Sequence, residues 1–229
     1  MAEYNFLESL ARIDGTLGTS LPNDYLSEIP QHNDIIDNQV YNVNATVVVV
    51  NFDCSRKTFF DTGRPNDLRM YQSFVSEVIT ICRANPNCRD IVAKDKTVTL
   101  IYSTPMKADL NAVLDDAARI RSIGMIVSKK GNEKNLSDIN VSIGIDYGRL
   151  NMLPVEHAVN GTRQYLWCGS PLENASKYAT DSHHEIIVSE IIWKNLSDKN
   201  RGMFSSTHDT DNTYHSALIN IMMNNWLTK

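Results

Sequence analysis

No apolar run in this chain is long enough to cross a bilayer. The longest, residues 46–50 and 186–188, fall far short of the roughly 20 residues a membrane helix needs. The opening "MAEYNFLESLARID" carries acids where a secretory leader carries basic residues, and it has no continuous apolar core. A cytoplasmic protein without membrane partners is expected. Positive charge is also scarce. The 22 Lys and Arg are outnumbered by 27 Asp and Glu, for a net charge of −5, which argues against a broad nucleic-acid surface. Any anionic ligand must be held by a local cluster of cations. Cysteine is sparse, at positions 54, 82, 88 and 168. Cys82 and Cys88 are near in sequence, but that spacing does not suit zinc, so reduced thiols are expected. Glycine and proline are not enriched and no internal repeat is evident. What remains is an ordinary globular composition with length enough for a real core.

The chain divides into an arm, residues 1–42, and a compact region, residues 43–229. In the arm, Phe6, Leu7, Leu10 and Ile13 share one face of a helix. A polar stretch rich in turn residues follows. The compact region then reads strand, helix, hairpin, helix, strand, helix, strand. The valine run of residues 46–52 is a buried strand. Leu68, Tyr71, Val75, Val78, Ile79 and Cys82 stripe a helix over 66–84. "IVAKDKTVTLIYS" is a hairpin around Lys94-Asp95-Lys96. Residues 107–126 form a second amphipathic helix, and "GNEKNLSD" is a loop. "INVSIGIDYGRLNML" is a strand whose Gly144 and Gly148 permit a bend or a close backbone approach. "GSPLENASKYA" is a short helix, "EIIVSEIIWKNL" a strand running into a helix, and the tail after Gly202 is polar with a last apolar patch. Strands crossed over by helices, with one hairpin, indicate α+β with a ferredoxin-like core.

Two carboxylates stand out in that layout. Asp53 ends the most apolar strand, and Asp95 sits at the hairpin tip that such a fold places beside it. Two acids held close repel unless they protonate or bind a cation. Hard ions such as Mg²⁺ or Mn²⁺ take carboxylate oxygens and keep positions open for phosphates. The run after Asp53 offers backbone N–H groups, Arg56, Lys57 and the Thr58 hydroxyl, which suits a triphosphate. The bland reading is that Asp53 is a turn former and Asp95 a solvated tip.

The helix "GSPLENASKYA" also has two readings. Ser170, Pro171 and Glu173 fit a capping box with proline in the first turn, and Glu173 with Lys177 an i,i+4 pair. The functional reading aims Asn174 and Lys177, i and i+3, at a ligand. Capping does not demand Asn174, a poor mid-helix residue. Adjacent His183 and His184 would point to opposite sides of a strand, so a surface or structural role is expected rather than shared metal ligation. Trp167 reads as core rather than as a stacking platform.

In this order the features resemble the class III nucleotidyl cyclase catalytic domain. The carrying motifs are Asp53 and Thr58 in "NFDCSRKT", Asp95 in "AKDKTVTLIYS", "DDAARI", "SIGIDYG", "GSPLENASKYA" and "IIVSE", spread over roughly residues 45–196. The arm looks like that of stand-alone bacterial cyclases, notably the pyrimidine cyclases of Pycsar antiphage systems. The resemblance implies that Asp53, Asp95 and the Cys54 carbonyl bind two metal ions, Mn²⁺ or Mg²⁺, and that residues 54–58 wrap the β- and γ-phosphates. It puts Lys177 where the family has its transition-state Arg. Glu173 falls at the family's Asn position, with Asn174 one place beyond. It also implies a head-to-tail homodimer with shared sites, and a cyclic product read by a separate effector.

Departures narrow the substrate. The hairpin tip is "KDK" where the family has "GDG". Adenylate cyclases carry Lys and Asp where this chain has Ile91 and Leu166. Neither can make the polar contacts that read adenine, so UTP or CTP is expected over ATP or GTP. A degenerate, nucleotide-binding domain without activity is the competing class. A diguanylate cyclase is disfavoured by the absence of "GGDEF".

Overall fold

The computed structural model describes residues 5–18, 25–36, 39–54, 65–156, 163–183, 185–206 and 212–228. The elements run α1 (Phe6–Gly18), β1 (Tyr25–Leu26), a 3-10 turn (His32–Asp34), β2 (Tyr41–Cys54), α2 (Pro65–Arg83), β3 (Cys88–Lys94), β4 (Thr97–Tyr102) and α3 (Lys107–Asn132). They continue with β5 (Ile139–Glu156), β6 (Arg163–Cys168), α4 (Ser170–Asp181), β7 (Ile186–Ser189), α5 (Glu190–Asn195), α6 (Asp198–Arg201), β8 (Ser205–Ser206), β9 (Thr213–Ser216) and α7 (Ile221–Leu227).

Among the described residues the strands form one mixed sheet in the order β3-β4-β2-β5-β7-β9-β8. β1 pairs with the start of β2, and β6 with the far end of β5. The β2-α2-β3-β4-α3-β5 segment, with β2 between β4 and β5 and antiparallel to both, is the expected ferredoxin-like core. β2 reads as a run of valines because both of its faces are covered. Val48, Val50 and Phe52 point toward Phe74 and Val78 of α2 and Leu114 and Ile120 of α3. Val43, Ala45, Val47 and Val49 point the other way, toward Leu150, Met152 and the Ala175 and Ala179 edge of α4.

The structure adjusts several boundaries. Ile29 and Ile35 are buried in that second cluster, so part of the segment assigned to the arm contributes to the core. The apolar face of α1 is exposed, with Phe6 and Leu7 at 61% and 74%. α3 runs on to Asn132, through Gly131; a Cβ there would meet the Met70 side chain, so this glycine serves helix packing rather than a helix stop. β6 and β9 are strands that the sequence reading did not contain. The polar tail returns through β9 to pair with β7, and the Trp193 and Tyr214 rings stack at 4.1 Å. No described helix is long and apolar enough to cross a membrane.

One buried acid ties the helices to the sheet. Asp116 of α3 accepts from Asn85 Nδ2 at 2.7 Å and from Arg119 at 3.2 Å, with Tyr102 Oη at 3.5 Å. Burial raises its carboxyl above the ordinary range. The folded state then holds the proton more tightly than the unfolded chain does. The group therefore supports folding below its unfolded pKa and loses that support as pH rises through its folded pKa. Asp116→Asn removes this titration. Chemical denaturation from about pH 4 to pH 8 should show the parent losing stability relative to the variant as pH rises. A pH-independent difference would contradict the assignment.

Candidate active site

Asp53 is exposed at the end of β2. It lies on the strand face shared by Val47 and Val49, because Phe52 beside it points into the helix-covered core. The ladder between β2 and β4 ends at Asn51 opposite Thr97. One step further, the Phe52 N–H donates to the Lys96 carbonyl at 2.8 Å. That bond sets the two-residue tip, Asp95-Lys96, directly against the strand end that carries Asp53. The strand end and the hairpin tip therefore lie side by side.

The donor set suits a hard divalent cation. Neither acid forms an ion pair with another described residue. Among the described residues no group of three or more His, Cys, Asp or Glu comes together, so a paired site here would rely on carboxylates, a backbone carbonyl and solvent. Those are ligands for Mg²⁺ or Mn²⁺ rather than zinc. The Cys54 side chain is buried, which leaves only its carbonyl for such a role. Arg56, Lys57 and Thr58 lie outside the described residues.

α4 lies directly on the sheet. A Cβ on Gly144 of β5 would overlap the Ala175 carbonyl oxygen and come within 2.6 Å of the Ala179 nitrogen. Glycine is required at this crossing. The helix begins differently from the expected capping box. Gly169 is its N-cap, at φ 152°, without a side-chain cap, and Ser170 is already helical. The reason is steric: Gly169 passes so close to Arg149 and Leu150 of β5 that a side chain would collide with them. A Glu173–Lys177 pair is not among the ion pairs of the described residues.

Within α4, Asn174 Nδ2 donates to Asp146 Oδ2 of β5 at 2.8 Å. Asp146 is 5% exposed, and its other oxygen accepts from the Tyr147 N–H at 2.8 Å. A buried carboxylate thus fixes the Asn174 amide, and the Asn174 carbonyl oxygen and second N–H point away from that bond, able to meet a ligand. Glu173 and Lys177, one turn apart, are both exposed.

Ile91 and Leu166 lie on β3 and β6. Ile91 pairs with Leu100 and packs against the helix-side core, away from the face that carries Asp53. Leu166 on β6 is 56% exposed. The link between β3 and β6 is Trp167 Nε1 donating to Asp90 Oδ2 at 2.7 Å. Asp90 Oδ1 also accepts from the Ile91 N–H at 2.8 Å, so both carboxylate oxygens are engaged. Trp167 packs with Tyr165 against the second cluster, as a core residue with its indole N–H satisfied. Sequence reasoning missed the Asp90–Trp167 and Asp146–Asn174 ties. A lone Asp inside each of two β-rich runs was the available signal. His183 is exposed, and His184 lies outside the described residues.

The fold is that of the class III nucleotidyl cyclases. The guanylyl cyclase Cya2 superimposes with a TM-score of 0.62 at 9% identity, over 79% of this chain and 94% of that one. The adenylyl cyclase CyaB from P. aeruginosa gives 0.61 at 13% identity, over 77% and 95%. Within that class the similarity of sequence is to uridylate cyclases. The uridylate cyclase of Treponema porcinum is 26% identical over 234 residues, covering 99% of this chain and 82% of its own. That of Gulbenkiania mobilis is 21% identical over 97% of this chain and 95% of its own. The chain matches no family model. The resemblance drawn from the sequence motifs is borne out.

Proposed function

We propose that this protein is a uridylate cyclase, converting UTP to 3′,5′-cyclic UMP and pyrophosphate. The observation that carries the reading is the near full-length similarity to two proteins named for that activity, on a chain whose Asp53 and hairpin tip meet at one strand end. The ribose 3′-oxygen attacks the α-phosphorus, the bond to the bridging oxygen breaks, and pyrophosphate leaves.

Asp53, Asp95 and the Cys54 carbonyl would hold two Mn²⁺ or Mg²⁺ ions, which when bound acidify the 3′-hydroxyl and neutralise the triphosphate. The residues do the positioning that dominates phosphoryl transfer. Arg56, Lys57 and Thr58 hold the β- and γ-phosphates. Lys177 sets a positive charge on the charge that develops at the α-phosphoryl group. It does so as a point charge, without the directional fork of arginine. The Asn174 carbonyl oxygen, held in place through Asp146, is available to the ribose, and Glu173 is its competitor for that role. Leu166 offers the base an apolar contact in place of the polar pair that reads adenine. The acids and α4 act in trans, in a head-to-tail homodimer with two composite sites. The product serves a separate effector in antiphage defence.

Incubation with each of the four NTPs and Mn²⁺, with products identified by mass, tests the reading. Cyclic UMP with stoichiometric pyrophosphate is expected from UTP, with CTP the next best substrate. Cyclic AMP or cyclic GMP as the main product would refute the pyrimidine assignment. Nucleotide binding without pyrophosphate release would make the protein a non-catalytic relative.

A further inference from the structure

The hairpin tip that carries Asp95 contains no glycine. Asp95 itself takes a left-handed backbone conformation, with φ 50°, which most residues with a Cβ disfavour and which Asp enters more readily than most. Hydrogen bonds from β2 and α2 reach the tip. The Phe52 N–H donates to the Lys96 carbonyl at 2.8 Å, and Tyr71 Oη donates to the Asp95 carbonyl at 2.6 Å. The Tyr71 ring meets the Phe52 ring edge-on, with centroids 5.0 Å apart. The contacts therefore close a ring: from Phe52, next to Asp53, through Tyr71 to Asp95, and back through Lys96 to Phe52.

We propose that Tyr71 is a positioning residue for the metal-binding pair. It reaches the tip from behind. Its ring packs against the helix-side core, whereas Asp53 is exposed on the other face of the sheet. Tyr71 acts through the Asp95 backbone, holding that residue in its left-handed conformation so that the two carboxylates keep a fixed separation before any ion arrives. The inference rests on reading Asp53 and Asp95 as metal ligands.

Two roles of Tyr71 can be told apart. Its ring also lines a groove of about 590 Å³ between α2 and β3, with Leu68, Val75, Ile79, Ala93 and Asp95 itself. Packing belongs to the ring; positioning belongs to the hydroxyl. Tyr71→Phe removes only the hydroxyl. Binding of Mn²⁺ alone, followed by the electron paramagnetic resonance signal of the free ion, should weaken about fivefold, the worth of one hydrogen bond. The thermal midpoint should change little. In turnover, the Mn²⁺ concentration for half-activation should rise by a similar factor, with kcat largely recovered at saturating Mn²⁺.

Two controls accompany it. Phe74→Leu loosens the same core, where Phe74 lies 5.4 Å from the Phe52 ring, and should lower stability while leaving Mn²⁺ affinity alone. Asp95→Asn should weaken Mn²⁺ binding strongly. Parent-like affinity in Tyr71→Phe, with Asp95→Asn weakened, would overturn the positioning role and leave the metal pair standing. Equal loss in Phe74→Leu would assign the effect to packing and overturn the role as well. Parent-like affinity in Asp95→Asn would remove the metal pair itself, and this inference with it.

Discussion

Asp53→Ala should lose at least a thousandfold in cyclase rate, about 4 kcal/mol of transition-state stabilisation, with little change in fold. Asp53 is exposed at a strand end, so its removal opens no cavity. Lys177→Ala should lose about a hundredfold, or ~3 kcal/mol, the usual cost of removing a charge aimed at a developing oxyanion. Lys177 is likewise exposed on α4, so both variants should fold. Mixing them tests the proposed sharing of sites. Each homodimer carries the same defect twice, but a mixed dimer carries both defects in one site and none in the other. Random reassociation should restore about a quarter of parental activity. A verified heterodimer that recovers nothing would refute composite sites while leaving a role for each residue within one subunit.

Gly144→Ala is the second large effect, and it acts through the scaffold. The added methyl would overlap the Ala175 carbonyl and crowd the Ala179 nitrogen and, at 2.8 Å, the Tyr178 Cβ. Two of the three obstacles are backbone, so no rotamer change relieves them and α4 must lift from β5. Overpacking of this kind costs about 3 kcal/mol. The shift also pulls Asn174 from Asp146 and displaces Lys177, and a misplacement of ~1 Å can cost a hundredfold in rate. Gly148→Ala is the control. Its Cβ would meet only the Pro171 ring, at 3.0 Å, so a small adjustment of the helix start suffices. Circular-dichroism melts and activity should show Gly144→Ala impaired in both and Gly148→Ala close to the parent. Equal tolerance of the two would show that α4 is not seated as described.

Much of this architecture was legible in the sequence. The valine run, the Lys94-Asp95-Lys96 hairpin and the stripes of α2 and α3 each carry a strong local signal, and their order specifies the ferredoxin-like core. What escaped depended on tertiary contacts. β6 half-buries Tyr165 and Trp167 and exposes Gln164, Leu166 and Cys168, so it offers no buried apolar residue to read as a strand. β9 is polar, yet it buries Thr213 and Ser216 by pairing with β7. Gly131 looks like a helix stop and is a contact point for Met70. At the site, Ile91 was named only because the resemblance puts an adenine-reading Lys at its position, which says nothing of where the side chain packs. The ladder gives Ile91 to the helix-side core. The Asp53–hairpin juxtaposition was readable because a two-residue tip leaves little freedom. The Asp146–Asn174 bond was not, because it depends on how closely Gly144 lets α4 descend.

On the proposed function, Asp53 and Asp95 hold the ions that let a nucleotide close on itself. The most direct measurement is anomalous scattering from crystals soaked with Mn²⁺ and a non-hydrolysable UTP analogue. Two manganese peaks bridging the Asp53 and Asp95 carboxylates and the triphosphate are expected. Manganese absent from these two side chains, with the analogue's phosphates seated elsewhere, would contradict it.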